Sequence, residues 1–202
     1  MTQIDPRAIL KHPLIYTTYQ KLVGGYKARQ LFVENILEVK AGQKILDIGC
    51  GPGDILDFLP EVDYTGIDID AQYINKAKEK YGEHGEFICT TVEQYQLTSP
   101  LSFDLVIAAG VLHHVDDTQA TVLLKLAKAA KKPHGRFVSM DGCFIPQQNK
   151  ISKYLIQKDR GEYVRTSDAY KKLAEPIFDN VKATIEESFF NIPYTLLILD
   201  CQ

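Results

Sequence analysis

Short apolar segments alternate with helix-like segments through the middle of this 202-residue chain. We predict strands at 44–48, 63–67, 86–89, 103–108 and 135–140, and helices at 54–59, 70–81 and 118–131. The strands are nearly continuous in apolar residues, which is typical of parallel sheets that helices cover on both faces. The pattern therefore predicts a doubly wound, Rossmann-like α/β fold.

Both ends of the chain depart from this alternation. Residues 1–42 precede the first strand and form a predicted N-terminal helical cap. Four apolar positions there are spaced for one helix face: Leu31, Phe32, Ile36 and Leu37. Two strand-like runs at 182–187 and 194–201 predict an antiparallel hairpin at the sheet edge. We therefore expect one domain, 1–202, with a mostly parallel seven-stranded sheet and an antiparallel C-terminal hairpin.

Residues 142–176 form a long excursion that is rich in Tyr, Lys and Gln. Long excursions inside compact domains are usually lids or substrate loops. We expect a lid over a substrate site, mobile without ligand because it has few large apolar anchors, and helped by Tyr16, Tyr19 or Tyr26 from the N-terminal segment. The long polar side chains of this segment either line a pocket for a polar or acidic acceptor or simply cover surface. They are Tyr154, Lys158, Arg160, Tyr163, Arg165 and Tyr170.

Charge and composition restrict the partners. Twenty-three Lys and Arg against 26 Asp and Glu give a net charge of −3, which gives little support to nucleic-acid binding. The basic cluster between Lys125 and Arg136 ends a predicted helix, so we expect a solvated face. The apolar runs fall short of the roughly 20 residues that span a bilayer, and no secretory signal opens the sequence. Four cysteines without a CxxC pair predict free thiols, no metal and a cytoplasmic protein.

The strongest functional signal is Asp47-Ile48-Gly49-Cys50-Gly51-Pro52-Gly53, which leaves a predicted strand and turns on glycines. Glycines let a ligand approach the backbone closely, and a helix start offers free N–H groups. A dinucleotide fingerprint has Gly or Ala at its sixth position, where this chain has Asp54, whose charge repels a pyrophosphate. Asp47 suits a cationic amino group instead.

A second acidic residue, Asp68, ends the next predicted strand, in Gly66-Ile67-Asp68-Ile69-Asp70. A carboxylate at this place can accept two hydrogen bonds from the vicinal hydroxyls of a ribose. Asp70 is expected to cap the helix that follows. The two segments together predict a ligand with a ribose and an amino group and without a phosphate.

These segments resemble the class I S-adenosylmethionine (SAM)-dependent methyltransferases, over 43–140, about half of the chain. Segment 47–53 resembles the family's glycine-rich motif, and 66–69 its ribose acid with an apolar residue beside adenine. Segments 103–108 and 111–115 resemble the fourth-strand motif of the small-molecule branch. The resemblance implies SAM as the cofactor and a small-molecule methyl acceptor. The cofactor-binding residues that the resemblance implies are Asp47, Gly49, Cys50, Gly51, Asp68, Ile69, Thr91, Val92 and Ala109.

One position departs from the family's pattern. Members commonly carry an acid after the third strand that accepts a hydrogen bond from the adenine amino group, and this chain has Thr91 there. A threonine hydroxyl can accept one hydrogen bond, and the backbone N–H of Val92 can reach the ring. We therefore expect these two residues to supply the adenine contacts.

Three candidate catalytic residues follow strands at the carboxyl edge of the sheet, where ligands of open α/β sheets bind. His113 and His114 follow the fourth strand, and Asp141 follows the fifth. Adjacent residues point about 100° apart, and no third ligand lies near them in sequence, which argues against a metal site. If the acceptor is a hydroxyl, a base must remove its proton, and the sequence argument favours His114 over His113. Capping, packing and turn formation are the structural alternatives for these residues.

The sequence therefore predicts an enzyme that transfers the methyl group of SAM to a small molecule. Oxygen is the preferred acceptor atom, because Ala109-Gly110-Val111-Leu112 stands where families that methylate amide or base nitrogens often have Asn- or Asp-Pro-Pro-Tyr. Two alternatives stay open. One is a non-catalytic SAM- or nucleotide-binding module, and the other is an NAD(P)-dependent oxidoreductase, against which Asp54 argues.

Overall fold

Seven strands form one mixed sheet in the computed structural model, which describes residues 24–159 and 161–202. They are β1 Lys44–Ile48, β2 Asp63–Asp68, β3 Glu86–Cys89, β4 Phe103–Ala109, β5 Lys131–Gly142, β6 Val181–Glu186 and β7 Leu196–Cys201. Their order across the sheet is β3-β2-β1-β4-β5-β7-β6. The first five strands pair in parallel, whereas β7 runs antiparallel to both β5 and β6. The predicted mostly parallel sheet with an antiparallel C-terminal hairpin is confirmed.

Helices connect and flank the strands. They are α1 Gly25–Phe32, α2 Ala71–Tyr81, α3 Asp117–Ala130, α4 Lys150–Gln157 and α5 Ser167–Ala174. A π-helical turn, Val33–Leu37, continues α1, and short 3-10 turns occupy Asp54–Phe58 and Leu112–His114. None of the helices in the described part of the chain is long and apolar enough to cross a membrane.

Local sequence signals set the ends of these elements. The Asp70 carboxylate accepts a hydrogen bond from the backbone N–H of Gln72 (2.8 Å) and starts α2, as predicted. The helix predicted at 54–59 is only a 3-10 turn. Leu59 is already extended, with ψ of 145°, because the following Pro60 disfavours helical geometry in the residue before it.

Helices cover both faces of the sheet, as the doubly wound prediction requires. Leu123 and Leu124 of α3 and Tyr170 of α5 are buried together on one face. Phe32 of α1 and Ile74 of α2 belong to the core on the other face. The central strands β1 and β4 therefore bury side chains on both sides, which explains their nearly uninterrupted apolar sequences.

The basic cluster near the start of β5 differs from its prediction. The strand begins at Lys131 instead of residue 135, and α3 ends at Ala130. Lys131 is only 4% exposed, and Lys132 forms an ion pair with Asp104 (2.7 Å). The prediction of a solvated face is wrong for Lys131, because the chain passes directly from the helix into the sheet and buries the first residue of the strand, whereas the Lys132 side chain is 44% exposed.

The insertion 142–176 holds α4 and α5 and has more anchors than the sequence predicted. Tyr170 and Ala174 of α5 are 1% and 0% exposed. Ser152 of α4 is also fully buried, and its hydroxyl accepts a hydrogen bond from the backbone N–H of Thr195 (2.8 Å). Tyr170 thus adds one large anchor to Ile156, which the sequence already offered, and the Ser152 hydroxyl adds a polar one. Mobility of the insertion without ligand stays a prediction.

The described part of the N-terminal segment is helical, as its apolar spacing predicted. Within 25–37, the side chains of Phe32 and Leu37 are 0% and 2% exposed. Both belong to the core on the face that α2 also covers. Tyr16 and Tyr19 lie outside the described residues.

Arg136 of β5 connects this N-terminal segment to the sheet. Its Nη2 donates to the carbonyl oxygens of Ile36 (3.0 Å) and Leu37 (2.6 Å), and its Nη1 donates to the Asp200 carboxylate (3.0 Å). Carbonyl groups in the last turn of a helix lack partners within the helix. One guanidinium therefore satisfies two of these carbonyls and a carboxylate of β7.

We predict that Arg136→Met lowers the free energy of unfolding by about 2 kcal/mol, because three hydrogen bonds to a charged donor are lost. Urea denaturation followed by circular dichroism measures this. The control is Lys171→Met, which removes an exposed ion pair with Glu175 (3.4 Å) and should change stability by less than about 0.5 kcal/mol. Equal losses in the two variants would contradict the role given to Arg136.

Candidate functional site

The glycine-rich turn after β1 lies at the carboxyl edge of the sheet and is bound to β2. The backbone N–H groups of Gly49 and Cys50 both donate to the carbonyl of Ile67 (2.7 and 3.1 Å). The N–H of Gly51 donates to the Asp68 carboxylate (2.9 Å). Burial raises the pKa of the Cys50 thiol, so this side chain is neutral at physiological pH. The turn is thus held by backbone contacts at a fixed place beside the end of β2.

Open space lies above the middle of this turn. Gly49 and Gly51 have φ of +73° and +55°, in the left-handed region that glycine adopts without strain. A Cβ on Gly49 would lie 2.5 Å from a methyl group of Val111, so that side of the turn is closed by packing. A Cβ on Gly51 would have no atom within 4 Å. A ligand can therefore approach the backbone at Gly51 directly.

Asp68 and Ile69 present a carboxylate and an apolar side chain beside this space. The two oxygens of Asp68 accept from the N–H groups of Gly51 (2.9 Å) and Asp70 (2.8 Å), one each. A carboxylate oxygen has two lone pairs, so each can still accept from a ligand hydroxyl. The side chain of Ile69 is 73% exposed, although it is apolar. This pair suits a ribose with an adenine ring lying on the isoleucine.

Asp47 is a buried acid at the floor of the same groove. It is 4% exposed, and the Tyr64 hydroxyl donates to it (2.7 Å). Burial raises the pKa of Asp47 to about 6, although the Tyr64 hydrogen bond and the charge of Arg29 act in the opposite direction. At neutral pH the carboxylate is ionised and can attract a cationic amino group, as the sequence predicted.

The remaining cofactor candidates lie at the ends of β3 and β4. The Thr91 hydroxyl accepts from the N–H of Gln94 (3.2 Å), and Val92 is half-buried against the core. Their contacts to adenine stay predictions. Ala109 ends β4, and the N–H of Gly110 then donates to a carbonyl of β5 (2.7 Å). All the cofactor candidates thus lie at or just after the carboxyl end of one of the first four strands, at the same edge of the sheet.

His113 and Asp141 form a buried pair next to the cofactor groove. The Asp141 Oδ1 lies 2.8 Å from Nδ1 of His113 and also accepts its backbone N–H (3.2 Å). The two residues are 8% and 2% exposed. Burial alone lowers the pKa of His113, but the hydrogen bond and charge of Asp141, with the charge of Asp159, more than compensate and raise it. The pair has the arrangement of an imidazole base held by a carboxylate.

His114 takes a different position. It is exposed, and the centre of its ring lies 4.1 Å from that of His113. The structure therefore brings His113, not His114, together with Asp141. Among the described residues, no group of three or more His, Cys, Asp or Glu side chains is placed to hold a metal ion.

Arg165, an expected pocket residue, instead holds the turn that carries His113. Its guanidinium donates to the carbonyls of Leu112 (2.7 Å) and Val115 (2.8 Å) and pairs with Asp117 (2.7 Å). These contacts leave it no free donor face toward a substrate. The turn after β4 is thereby fixed by the insertion.

The other pocket candidates of the insertion divide into two groups. Tyr170 is buried, and its hydroxyl donates to the carbonyl of Gly142 (3.2 Å), so its role is in packing. Tyr154 and Tyr163 are 59% and 41% exposed and remain available to a ligand. Arg160 lies outside the described residues.

The sequence argument missed two residues that lie against His113. The Oδ1 of Asp159 is 3.9 Å from Nε2 of the ring, and a Cβ on Gly161 would lie 2.7 Å from the His113 carbonyl oxygen. Asp159 Oδ1 also accepts the N–H of Gly161 (3.3 Å). An aspartate two residues before a glycine is a turn signal. That signal could have marked a sharp turn here, but nothing local indicated which residue the turn covers.

Comparison with known proteins finds methyltransferases. A model of the methyltransferase domain matches residues 46–137. The ubiquinone biosynthesis O-methyltransferase of Idiomarina loihiensis is 30% identical over 145 residues, 66% of this chain and 59% of that protein. Phosphoethanolamine N-methyltransferase 1 of Triticum aestivum is 28% identical over 184 residues, 86% of this chain and 35% of that protein. The chain thus spans less than two thirds of these curated relatives.

A solved structure shares the fold across the chain. A TehB-like SAM-dependent methyltransferase from Corynebacterium glutamicum has a TM-score of 0.68 at 18% identity, covering 98% of this chain and 100% of that one. The fold and the groove define a nucleoside-binding α/β protein of the methyltransferase type. The matching domain model, the similar methyltransferases and the shared fold support a class I SAM-dependent methyltransferase. SAM is the cofactor of this family, and the open space at Gly51, the exposed Ile69 and the ionisable Asp47 fit it.

We predict that Asp68→Ala weakens SAM binding by roughly 2–3 kcal/mol, because charge-assisted hydrogen bonds to both ribose hydroxyls are lost. Isothermal titration calorimetry measures the affinity. The matched control is Asp70→Ala, which should lower stability by about 1 kcal/mol through loss of the helix cap and leave SAM affinity unchanged. Unchanged SAM affinity in a folded Asp68→Ala protein would contradict the assignment.

We also predict that SAM affinity rises as the pH increases through about 6, the pKa of Asp47. Only the ionised carboxylate attracts the SAM ammonium group, which stays protonated over this range. The folded pKa lies above the unfolded value of 3.8, so the stability of the ligand-free protein should fall as the pH rises from 3.8 to about 6 and then level off. Calorimetric titrations and urea denaturation at several pH values test both trends.

Asp47→Asn is the control for this pH dependence. It should abolish the rise in SAM affinity near this pH and weaken binding at neutral pH. The same pH dependence in wild type and in Asp47→Asn would show that another group is responsible.

Proposed function

We propose that this chain transfers the methyl group of SAM to a hydroxyl oxygen of a small-molecule acceptor. His113 serves as the base in this proposal, and Asp141 holds its ring. The names of the relatives support a small-molecule acceptor and include both oxygen and nitrogen methylation. The choice of oxygen rests on the chemistry of the buried pair.

The observation that carries the proposal is the contact between Nδ1 of His113 and Oδ1 of Asp141, at 2.8 Å. The carboxylate favours a hydrogen on Nδ1, which leaves the lone pair on Nε2 to accept a proton. A Cβ on Gly110 would lie 3.8 Å from Cε1 of His113, so the ring stands next to the end of β4. A hydroxyl needs such a base, because it is a poor nucleophile until its proton is removed.

The same pair favours His113 over His114 as the base. A buried imidazole that a carboxylate orients has a fixed direction and a raised pKa, both of which improve proton uptake. His114 is exposed, and its ring is tilted by 41° against that of His113. We therefore reverse the order that the sequence argument gave to the two histidines and assign His114 to the border of the acceptor site.

SAM supplies a methyl group that its sulfonium sulfur already activates. The acceptor oxygen forms the new bond to the methyl carbon, the carbon–sulfur bond breaks with its electron pair going to sulfur, and the acceptor proton goes to Nε2 of His113. The protein's remaining task is to align the acceptor with the methyl group and to keep water out.

The insertion 142–176 supplies one wall of the proposed acceptor site. The N–H of Tyr163 donates to the His113 carbonyl (3.0 Å), and the backbone of Gly161 packs directly on the imidazole. On the N-terminal side, Tyr26 is 57% exposed and its ring lies 4.6 Å from that of Phe58. These contacts support the expectation that the insertion and the N-terminal segment shield the reaction from water.

The setting of the protein is part of the proposal. We propose a cytoplasmic protein that acts on a free small molecule rather than on nucleic acid or a membrane. All four cysteines are free, which suits a reducing compartment. The net charge of −3 suits a partner other than nucleic acid.

Thermal unfolding with SAM, S-adenosylhomocysteine or NAD tests the cofactor. A ligand at 100 times its Kd adds about 2.7 kcal/mol, so SAM and S-adenosylhomocysteine should stabilise the protein and NAD should not. Methyl transfer from SAM with a labelled methyl group is then assayed with catechol and with phosphoethanolamine. Labelled catechol ether is the expected product. Transfer to phosphoethanolamine alone would contradict oxygen as the acceptor atom, and SAM binding without any transfer would favour a binding module.

We predict that His113→Gln and Asp141→Asn lower turnover on the hydroxyl acceptor by about 10²–10⁴-fold and leave the Kd of SAM unchanged. The wild-type rate should rise with pH through the raised pKa of His113, because the neutral imidazole is the base. The control His114→Gln should cost less than about tenfold, since it loses no carboxylate-held base. A larger loss of turnover in His114→Gln than in His113→Gln would contradict His113 as the base and favour His114, as the sequence argument did.

A further inference from the structure

A second carboxylate faces His113 from the side opposite Asp141. Asp141 lies at the Nδ1 side of the ring, whereas Oδ1 of Asp159 lies 3.9 Å from Nε2. The Asp159 side chain is 27% exposed, so it borders both the protein interior and the open side of the site. Nε2 is the atom that receives the proton in the proposed reaction. Asp159 is therefore placed where the positive charge develops.

Two hydrogen bonds, one from Tyr194 and one from the neighbouring Gly161, hold Asp159 in this place. The Tyr194 hydroxyl donates to Oδ2 (2.8 Å), and the N–H of Gly161 donates to Oδ1 (3.3 Å). The Tyr194 hydroxyl itself lies over Gly142 at the end of β5, where a Cβ would approach it to 2.9 Å. A side chain at Gly142 would displace the tyrosine, and a side chain at Gly161 would displace the turn from the ring. Two glycines thus make room for one tyrosine–aspartate contact.

We infer that Asp159, aligned by Tyr194, is a further positioning residue for methyl transfer, which holds the His113 ring with Nε2 toward the acceptor and stabilises the imidazolium that forms. This inference rests on the proposed function. Tyr194 lies just before β7 and far in sequence from His113, so only the fold brings it to the site. It acts through its hydrogen bond to Asp159.

The distance between Asp159 and His113 suits this role. At 3.9 Å the two groups are too far apart for a direct hydrogen bond, yet close enough for a strong charge interaction. An acceptor hydroxyl about 2.8 Å from both Oδ1 and Nε2 can bridge them. Before proton transfer such a hydroxyl binds to both groups. Afterwards the carboxylate faces a cationic ring.

The charged groups around the His113 ring determine the direction in which its pKa should change when one of them is removed. Asp141 and Asp159 both favour the protonated imidazole, and the adjacent His114 disfavours it once it is itself protonated. Removing the charge of Asp159 should therefore lower the pKa of His113. Tyr194→Phe should lower it less, because the carboxylate remains but loses the hydrogen bond that directs it to the ring.

The experiment is a titration of the 202-residue chain with ¹³C-labelled histidine, followed by NMR, in which His113→Gln identifies the His113 signal. Wild type, Asp159→Asn and Tyr194→Phe are compared, with SAM binding as the check that each variant is folded. Glu162→Gln is the matched control, because Glu162 is an exposed acid three residues from Asp159. We expect His113 to titrate at successively lower pH in wild type, Tyr194→Phe and Asp159→Asn, and Glu162→Gln to match wild type.

An unchanged His113 titration in folded Asp159→Asn, or an equal shift in Glu162→Gln, would overturn the inference. If Asp159→Asn does not fold, Tyr194→Phe decides: a lower titration supports the inference, and an unchanged one overturns it. These NMR results need no methyl acceptor, so they stand even if the proposed transfer fails. On an acceptor that is turned over, both variants should lower kcat by about tenfold and leave the KM for SAM unchanged.

Discussion

The hydrogen bond from the Gly51 N–H to the Asp68 carboxylate joins the ends of two parallel strands and fixes the geometry of the whole groove (2.9 Å). The other oxygen of Asp68 accepts from Asp70, which in turn caps α2. One carboxylate therefore positions both the glycine turn and the helix that follows β2. Because Asp68 keeps unused lone pairs and stays partly exposed, the residue that builds the groove is also the one that can bind a ribose.

Two buried carboxylates, Asp47 and Asp141, lie at the same edge of the sheet, 4% and 2% exposed. A buried charge is unfavourable unless polar partners stabilise it, and here the partners are the Tyr64 hydroxyl and the His113 imidazole. A sheet edge with this much negative charge is complementary to a ligand with an ammonium and a sulfonium group. The same negative charge at Asp141 stabilises a proton on His113. In the proposed reaction, these two carboxylates would attract the ammonium group of the cofactor and stabilise the proton on His113.

Local signals predicted the elements whose causes are local. Strand alternation and the Asp70 cap depend on neighbouring residues, and both are confirmed. Lys131 was placed in a helix because lysine favours helix ends, but pairing with β4 draws it into β5 and buries it. The order of His113 and His114 depends on which ring faces β5, which no pattern in the sequence encodes. Asp159 reaches the site only because the turn after α4 packs on His113, in the turn that follows β4. The spacing of residues in the sequence does not show this tertiary contact.

The most direct test of the account is a crystal structure of the protein bound to S-adenosylhomocysteine. The account predicts that the ribose hydroxyls bind to Asp68, that the amino group lies at Asp47, and that the sulfur faces the Gly110 and His113 side of the groove. Such a structure would leave room for an acceptor between the sulfur and Nε2 of His113. Binding of the nucleoside elsewhere, or a sulfur that points away from His113, would contradict the account.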